Sequence, residues 1–472
     1  MRRVEPMKKK LLIIMGALIL CLIVLAIGSS GDDPLDPEVQ KELSFRFPEV
    51  APEENAYVGV SGLGGIADGD VVAAGQKYLK EGPALQPDPA QDKPFDFSYK
   101  NPCLAEGSGR ECLDAIVADA AAIDEAVKKN GEIIERYYVV QQMPLYVNDS
   151  VSFMAPVPRF HHLLDVSKLI GAKALLDIKR HGLDPALNSI EKDLDFYERI
   201  CRSEHISMIE LMISIAAIKN NLVELNKIIE DDQVDLGGYE DRLRKMLDLD
   251  LNSTQMLTVA LKSERRQFIQ GFDEAITEFS DEGLSPQYKW MKPFYRLIFK
   301  RNMTLNRIAS RMTETINQVQ AAPLLGFPDF YARHEMEMAD GHSSYTAELT
   351  IKDLYNAYGL FFFKNYVGEH MANIAQPYYM RYAARANETI VYSHLLRAQL
   401  ELRLMAERPD DISEALAVLG PETWNPYTGQ PFAWDREKNT IWAESVIRKG
   451  GGRDNDPSSG RLEVAAPFSR PQ

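Results

Sequence analysis

The tightest constraint on this 472-residue chain is the stretch 208–218, where only Glu210 and Ser214 interrupt an apolar run. A helix written this way has no polar face to give to water, so it has to be buried on most sides. Two segments ahead of it read as helices able to cover it. The first, 160–181, ends at Gly182, a residue free to take the left-handed conformation that closes a helix. The second opens with Asp184-Pro185, an N-cap carboxylate followed by proline at the first helical position. Its Leu187, Ile190, Leu194, Tyr197 and Cys201 fall on one stripe of a 3.6-residue period. The region 160–230 therefore predicts three packed helices at the centre of an all-α fold.

Helical periodicity continues on both sides. Leu113, Ile116, Ala120, Ile123 and Val127 form one stripe, and a second helix runs through Ile134, Tyr137 and Tyr138. Further helices are expected at 239–249, at 253–271 (where Leu257, Leu261, Glu264 and Phe268 set the period), at 293–319, 351–358, 377–386 and 389–407. The stretch 323–345 reads as irregular. No fixed-period repeat aligns, which leaves a single multi-helix, helical-hairpin body over 113–410. At 411–448 turn residues and the strands 432–434 and 440–442 predict a small C-terminal β-hairpin, and the glycine-rich 449–472 reads as a flexible tail. Upstream, 29–112 is rich in Pro, Gly, Asp and Ala. It is expected to be an extended tether packed on the body, with one short helix near 70–79. Its glycines between 59 and 65 stand too close together for a regular element and lack the context of a dinucleotide fingerprint.

Residues 1–10 carry Arg2, Arg3, Lys8, Lys9 and Lys10, and 11–28 carry no charge. That run reaches the lower end of what crosses a bilayer and exceeds the apolar core of an ordinary signal peptide. With the basic end held in the cytoplasm, the expectation is one N-terminal transmembrane helix, an uncleaved signal-anchor that places the bulk of the chain on the far side. Cleavage after the small-x-small Ala26-Ile27-Gly28 is the alternative. Lipid attachment at Cys21 is disfavoured by the bulky Leu20 before it. A formal charge of −16 weighs against a nucleic-acid partner.

Cys103 and Cys112 bracket a short loop and suit a disulfide in an oxidising compartment. Two inert thiols or a metal site are the alternatives, and no other Cys or nearby His completes a zinc ligand set. Cys201 lies on the buried stripe. His334, Glu335, Glu337, Asp340 and His342 gather five potential metal ligands in one stretch, but Met338 stands where an H-E-x-x-H helix needs its second histidine. A solvated polar loop is the plainer reading, and no cofactor is expected. His161 and His162 open a helix and suit a structural or groove-lining role. Asn302 and Asn306 share a helix face beside Arg301 and Arg307, as a polar seam between helices or a ligand-binding face. Glu210 is the charge inside the most apolar helix, and buried carboxylates are either paired or shifted in pKa. A pairing with Lys or Arg, or exposure at the helix start, would explain it without function. There is no G-x-S-x-G elbow, P-loop or tandem CxxC. Trp424, Tyr427, Phe432, Trp434 and Trp442 are the candidates for partner contact, since aromatics in turns make good interface anchors.

Four stretches together resemble an uncharacterised family of membrane-anchored, mostly helical periplasmic proteins of Gram-negative bacteria. They are Glu54-Asn55-Ala56-Tyr57 through Gly64, the Cys103/Cys112 loop, the core from Asp193 to Leu222, and the closing Trp424-Asn425-Pro426-Tyr427 through Asp435. The resemblance implies location and architecture and no activity. It points to an inner-membrane, single-pass protein with a periplasmic body. The anchor, the helical body and the missing catalytic signature add an envelope protein as the expected partner. A non-enzymatic binding or assembly component is the expected function. A metal-dependent hydrolase using the cluster His334 to His342, or a binder of an apolar ligand between helices, is the alternative.

Overall fold

The apolar run at 208–218 sits in a buried 23-residue helix, Met208–Glu230. The computed structural model describes residues 15–16, 31–64, 70–81, 97–104, 109–150, 155–281, 299–345, 365, 372, 379–407, 409, 411–447 and 461–467, with backbone alone over 276–281 and 337–345. Among these residues the chain forms fifteen α-helices and one three-stranded antiparallel sheet near the C-terminus. No described helix is long and apolar enough to cross a membrane. The run 11–28 lies outside the described residues apart from Met15 and Gly16, as do the helix expected at 351–358 and Cys21.

Three helices precede the body: α1 (Pro37–Ser44), α2 (Ala56–Gly62) and α3 (Val71–Glu81). Only the last was expected, so the stretch is not an extended tether. The correction is sharpest at α2, all of whose residues are buried. Its glycines are there for a crossing rather than a loop. A Cβ on Gly62 would come within 1.9 Å of the Val71 carbonyl oxygen of α3, and one on Gly75 of α3 within 1.9 Å of the Val58 carbonyl oxygen of α2. The two helices touch backbone to backbone, and glycine alone leaves room for that. The side chain of Asn55 caps α2, accepting the Tyr57 N–H at 3.1 Å.

A Cys103–Cys112 disulfide then ties the 3₁₀ turn Pro102–Leu104 to α4 (Gly109–Ala118). α5 (Ala120–Lys129) and α6 (Gly131–Gln142) lead to the central trio: α7 (Phe160–His181), α8 (Leu183–Cys201) and α9 (Met208–Glu230). Gly182 has φ 90° between α7 and α8, and the stripe Leu187, Ile190, Leu194, Tyr197, Cys201 is buried. After the short α10 (Glu240–Leu247), α11 (Ser253–Asp281) and α12 (Arg301–Ala321) pack against each other. α13 (Phe327–Tyr345) replaces the irregular segment expected there. Phe327, Phe330, Tyr331 and His334 stand at i, i+3, i+4 and i+7, and their rings stack along its face. α14 (Met380–Arg403) is one helix where two were expected. Asn387-Glu388-Thr389, read as a break, is buried within it, and Glu388 accepts the Ile447 N–H at 2.9 Å. α9 packs against α4, α7, α8, α11 and α14, which accounts for its nearly continuous apolar surface.

After α15 (Ile412–Val418), strands β1 (Ala433–Asp435) and β2 (Thr440–Glu444) form the expected hairpin. A third strand, β3 (Arg461–Ala465), pairs with β2 and corrects the reading of 449–472 as a flexible tail. It is fixed to the body by Gln399 of α14, whose side-chain amide donates to the Ala465 carbonyl at 2.8 Å.

The crossing of α2 and α3 predicts a sign opposite to helix propensity. Alanine is favoured over glycine in a helix by about 1 kcal/mol. Gly75→Ala should nevertheless destabilise the protein by about 1–3 kcal/mol, because the added methyl forces the backbones apart. Urea unfolding of the variant beside the wild type measures it, and a stabilised variant would refute the close crossing.

Candidate binding cleft at the start of the buried helix

The first turn of α9 carries four backbone N–H groups with no partner inside the helix. Two carboxylates attend to them. Glu210 accepts the Ser207 N–H at 2.6 Å and the Ser207 hydroxyl at 2.8 Å, the arrangement of a capping box. Its other oxygen accepts the Asn148 side-chain amide at 2.9 Å, and the Tyr146 hydroxyl also donates to it. Glu264 reaches over from α11, accepting the Met208 N–H at 3.1 Å and the Tyr379 hydroxyl at 2.6 Å. No cation pairs with Glu210 in these contacts; burial pushes its carboxyl up to about 7, against the pull of its hydrogen-bond donors. Burial likewise raises Glu264.

Above these groups lies a cleft of about 280 Å³. Tyr57, Asn148, Ser207, Glu210 and Glu264 supply its polar groups, and Val157, Pro158, Phe160, Ile209 and Phe268 its apolar walls. Ile209 is 50% exposed and Val157 58%. A wider hollow of about 560 Å³ at the start of α11 is lined by no titratable side chain. The cleft beside α9 combines apolar walls with converging acceptors of shifted pKa, which is the composition of a ligand site.

A second polar cluster lies deeper. Asp193 of α8 accepts hydrogen bonds from the Tyr137 hydroxyl, the Gln141 amide (2.9 Å), the Ser167 hydroxyl (2.6 Å) and the Asn221 amide (2.9 Å). These donors come from α6, α7 and α9, so one carboxylate joins four helices. Burial raises its pKa. Glu224 of α9 is raised further, by burial and by repulsion from Asp193; it accepts from Asn101 at 3.2 Å and fills the space a side chain at Gly171 would need. This cluster is sealed inside the bundle and opens on no described cleft.

The other sequence candidates separate. Asn302 and Asn306 form a seam, though with a strand of chain rather than a helix: Asn302 donates to the Asp33 carbonyl and Asn306 to the Pro34 carbonyl, both at 2.9 Å. Of the histidine cluster, His334 stacks on Phe330 and Glu335 accepts the Tyr331 hydroxyl at 3.0 Å, both on α13 rather than on a loop. The side chains of Glu337, Asp340 and His342 lie outside the described residues. Among the described residues no three His, Cys, Asp or Glu side chains converge as metal ligands. His162 is buried and held down to about 4 by that burial and by the neighbouring His161 charge. The aromatic contact candidates divide by exposure. Tyr427 and Phe432 are buried, and Trp424, Trp434 and Trp442 are half-buried. Tyr427 stacks on Phe327, the Trp424 indole donates to the Leu419 carbonyl, and Arg461 lies over Trp442. Glu264, Asn148 and Ser207 were not singled out from sequence. A carboxylate on the stripe Leu257, Leu261, Glu264, Phe268 was the available signal.

Compared with known protein families, curated proteins and solved structures, the chain matches none.

The raised carboxyl gives a pH dependence. The folded protein holds the Glu210 proton up to about pH 7, whereas 4.5 is its ordinary value. The folded state therefore binds more protons in that window, and this group's contribution to stability is lost as pH rises through it. Glu210→Gln should flatten the fall in unfolding free energy between about pH 5 and about pH 8, by up to about 3 kcal/mol. Urea unfolding at the two pH values checks this; an unchanged slope would mean that Glu210 is ionised throughout.

Proposed function

We propose that the chain is a membrane-anchored periplasmic protein, held in the inner membrane by residues 11–28, whose helical body binds a partner of the cell envelope. The observation that carries the binding half is the cleft at the start of α9, where half-exposed Ile209 and Val157 flank buried acceptors on Glu210 and Glu264. An apolar segment or ligand carrying a hydrogen-bond donor, an amine or an amide, suits such a surface. The apolar part would cover the walls and the donor would use the remaining lone pairs of Glu264, since Glu210 already accepts four hydrogen bonds. The anchor half is supported by the uncharged run 11–28, its basic flank, and the resemblance of the chain to membrane-anchored periplasmic proteins.

The test is affinity purification of the full-length protein from gently solubilised membranes, with native mass spectrometry and elemental analysis on one sample. A stoichiometric partner or apolar ligand is expected in the wild type, bound at least about tenfold more weakly by Ile209→Asp, a change near 1.4 kcal/mol. Because Ile209 is half exposed, the variant should fold with unchanged circular dichroism. A lone protein carrying an equivalent of zinc or iron would overturn this reading and bring His334 and His342 forward.

A further inference from the structure

The residues directly after the apolar run are fixed to the body. Asp32 caps α12 from outside it: one carboxylate oxygen accepts the Asn302 N–H at 2.8 Å and the other the Met303 N–H at 3.1 Å. Asn302 and Asn306 hold the carbonyls of Asp33 and Pro34, and Asn306 also accepts the Asp36 N–H at 2.9 Å. Further along, Glu42 is buried between Arg265 (2.5 Å) and Arg266 (2.9 Å) of α11. Gln270 donates to the Glu42 carbonyl, and the Arg266 guanidinium stacks on Phe45 at 3.4 Å. Residues 32–47 are thus a strap across α11 and α12. Between Gly28, the last residue of the uncharged run, and Asp32 stand only Ser29, Ser30 and Gly31. Four residue steps span at most about 14 Å.

We propose that the first turn of α12, with the strap docked on it, is the membrane-facing pole of the body, held against lipid headgroups instead of hanging from a long tether. This rests on the reading of 11–28 as a membrane anchor. Two independent observations set the geometry: where the strap is pinned, and how little chain precedes the pin. The proposal has a consequence for the cleft. The body is oriented relative to the bilayer, because the strap fixes α11, the helix that supplies Glu264 and Phe268.

The test uses full-length protein in vesicles containing anionic lipid, with a dye at Ser44→Cys in a Cys21→Ser background and acceptor dye on the lipid headgroups. Ser44 ends α1 and is exposed. Energy transfer should be high, and should fall at least twofold when about twenty Gly/Ser residues are inserted between Ser30 and Gly31, since the strap stays docked while its lead lengthens. Gly31 is exposed with open space beside it, so loss of folding does not confound the insertion. A second variant, Asn302→Ala/Asn306→Ala, frees the strap and should lower transfer in the protein without the insertion. Transfer that is low in all forms, or unchanged by both alterations, overturns the proposal while leaving the anchor in place. Release of the protein by an alkaline wash shows instead that the anchor itself is wrong, and the proposal falls with it.

Discussion

α9 is buried along most of its length, and much of this fold follows from how its two ends find partners. At about 34 Å it is as long as a small domain is wide, and the N–H and C=O groups of its ends have no partner within the helix. Carboxylates close the N-terminal end: Glu210 from within and Glu264 from α11. Arg403, the last residue of α14, closes the other end, donating to the Ile228 carbonyl at 2.9 Å and also to those of Ile229 and Val234. Arg403 brings the positive charge that the helix dipole favours at the finish, and the two carboxyls bring acceptors to the start. Two segments more than a hundred residues apart are thereby committed to the same helix. Displacing either one leaves buried backbone groups unpaired, at about 1–3 kcal/mol each.

Along its length, α9 is held in register by polar contacts as well as apolar packing. Leu211, Ile215, Ile218, Leu222 and Leu225 could slide along the neighbouring helices at modest cost. Asn221 could not, because its amide must meet Asp193 while Ser167, Gln141 and Tyr137 do the same. A lone buried carboxylate is costly, and Asp193 has no cation, so four donors are what allow it to remain there. The network adds uniqueness to a core whose apolar packing alone would tolerate several arrangements.

This division explains what the sequence disclosed. Apolar periodicity marks a residue's face, so the central trio, the stripe on α8 and the hairpin at 433–444 were legible. Backbone-to-backbone packing leaves no such mark: the glycines of α2 look like a loop until Gly75 is placed against Val58. Buried polar residues mislead in the same way. Asn387-Glu388-Thr389 resembles a helix boundary because its partner, the backbone at Ile447, is some sixty positions away. The cleft was half legible. Glu210 stood out as a charge in an apolar run, but the partners proposed for it were a cation or water. The actual partners are a cap, an amide and a phenol, drawn from segments that carry no periodic signal. The packing around Trp434 and Trp442 was hidden for a related reason. Their hairpin has a third strand and a helix against it, and neither is adjacent in sequence.

The strap shows why composition is a poor guide to order at a chain's edge. Residues 32–47 contain two prolines, Pro34 and Pro37, and no long stripe, and fixing such a segment costs about 1–2 kcal/mol of backbone entropy per residue. A tether would remain free under those terms. Here Val39 is fully buried, Glu42 loses its water to two guanidiniums, and Asp32 replaces water at a helix start that would otherwise be uncapped. None of these gains is local. Each needs α11 and α12 already in place, so the strap can dock only on a formed body, and the body in turn gains a cap and a paired carboxylate from it. That mutual dependence makes residues 32–47 part of the fold, and through α11 it ties them to the start of α9.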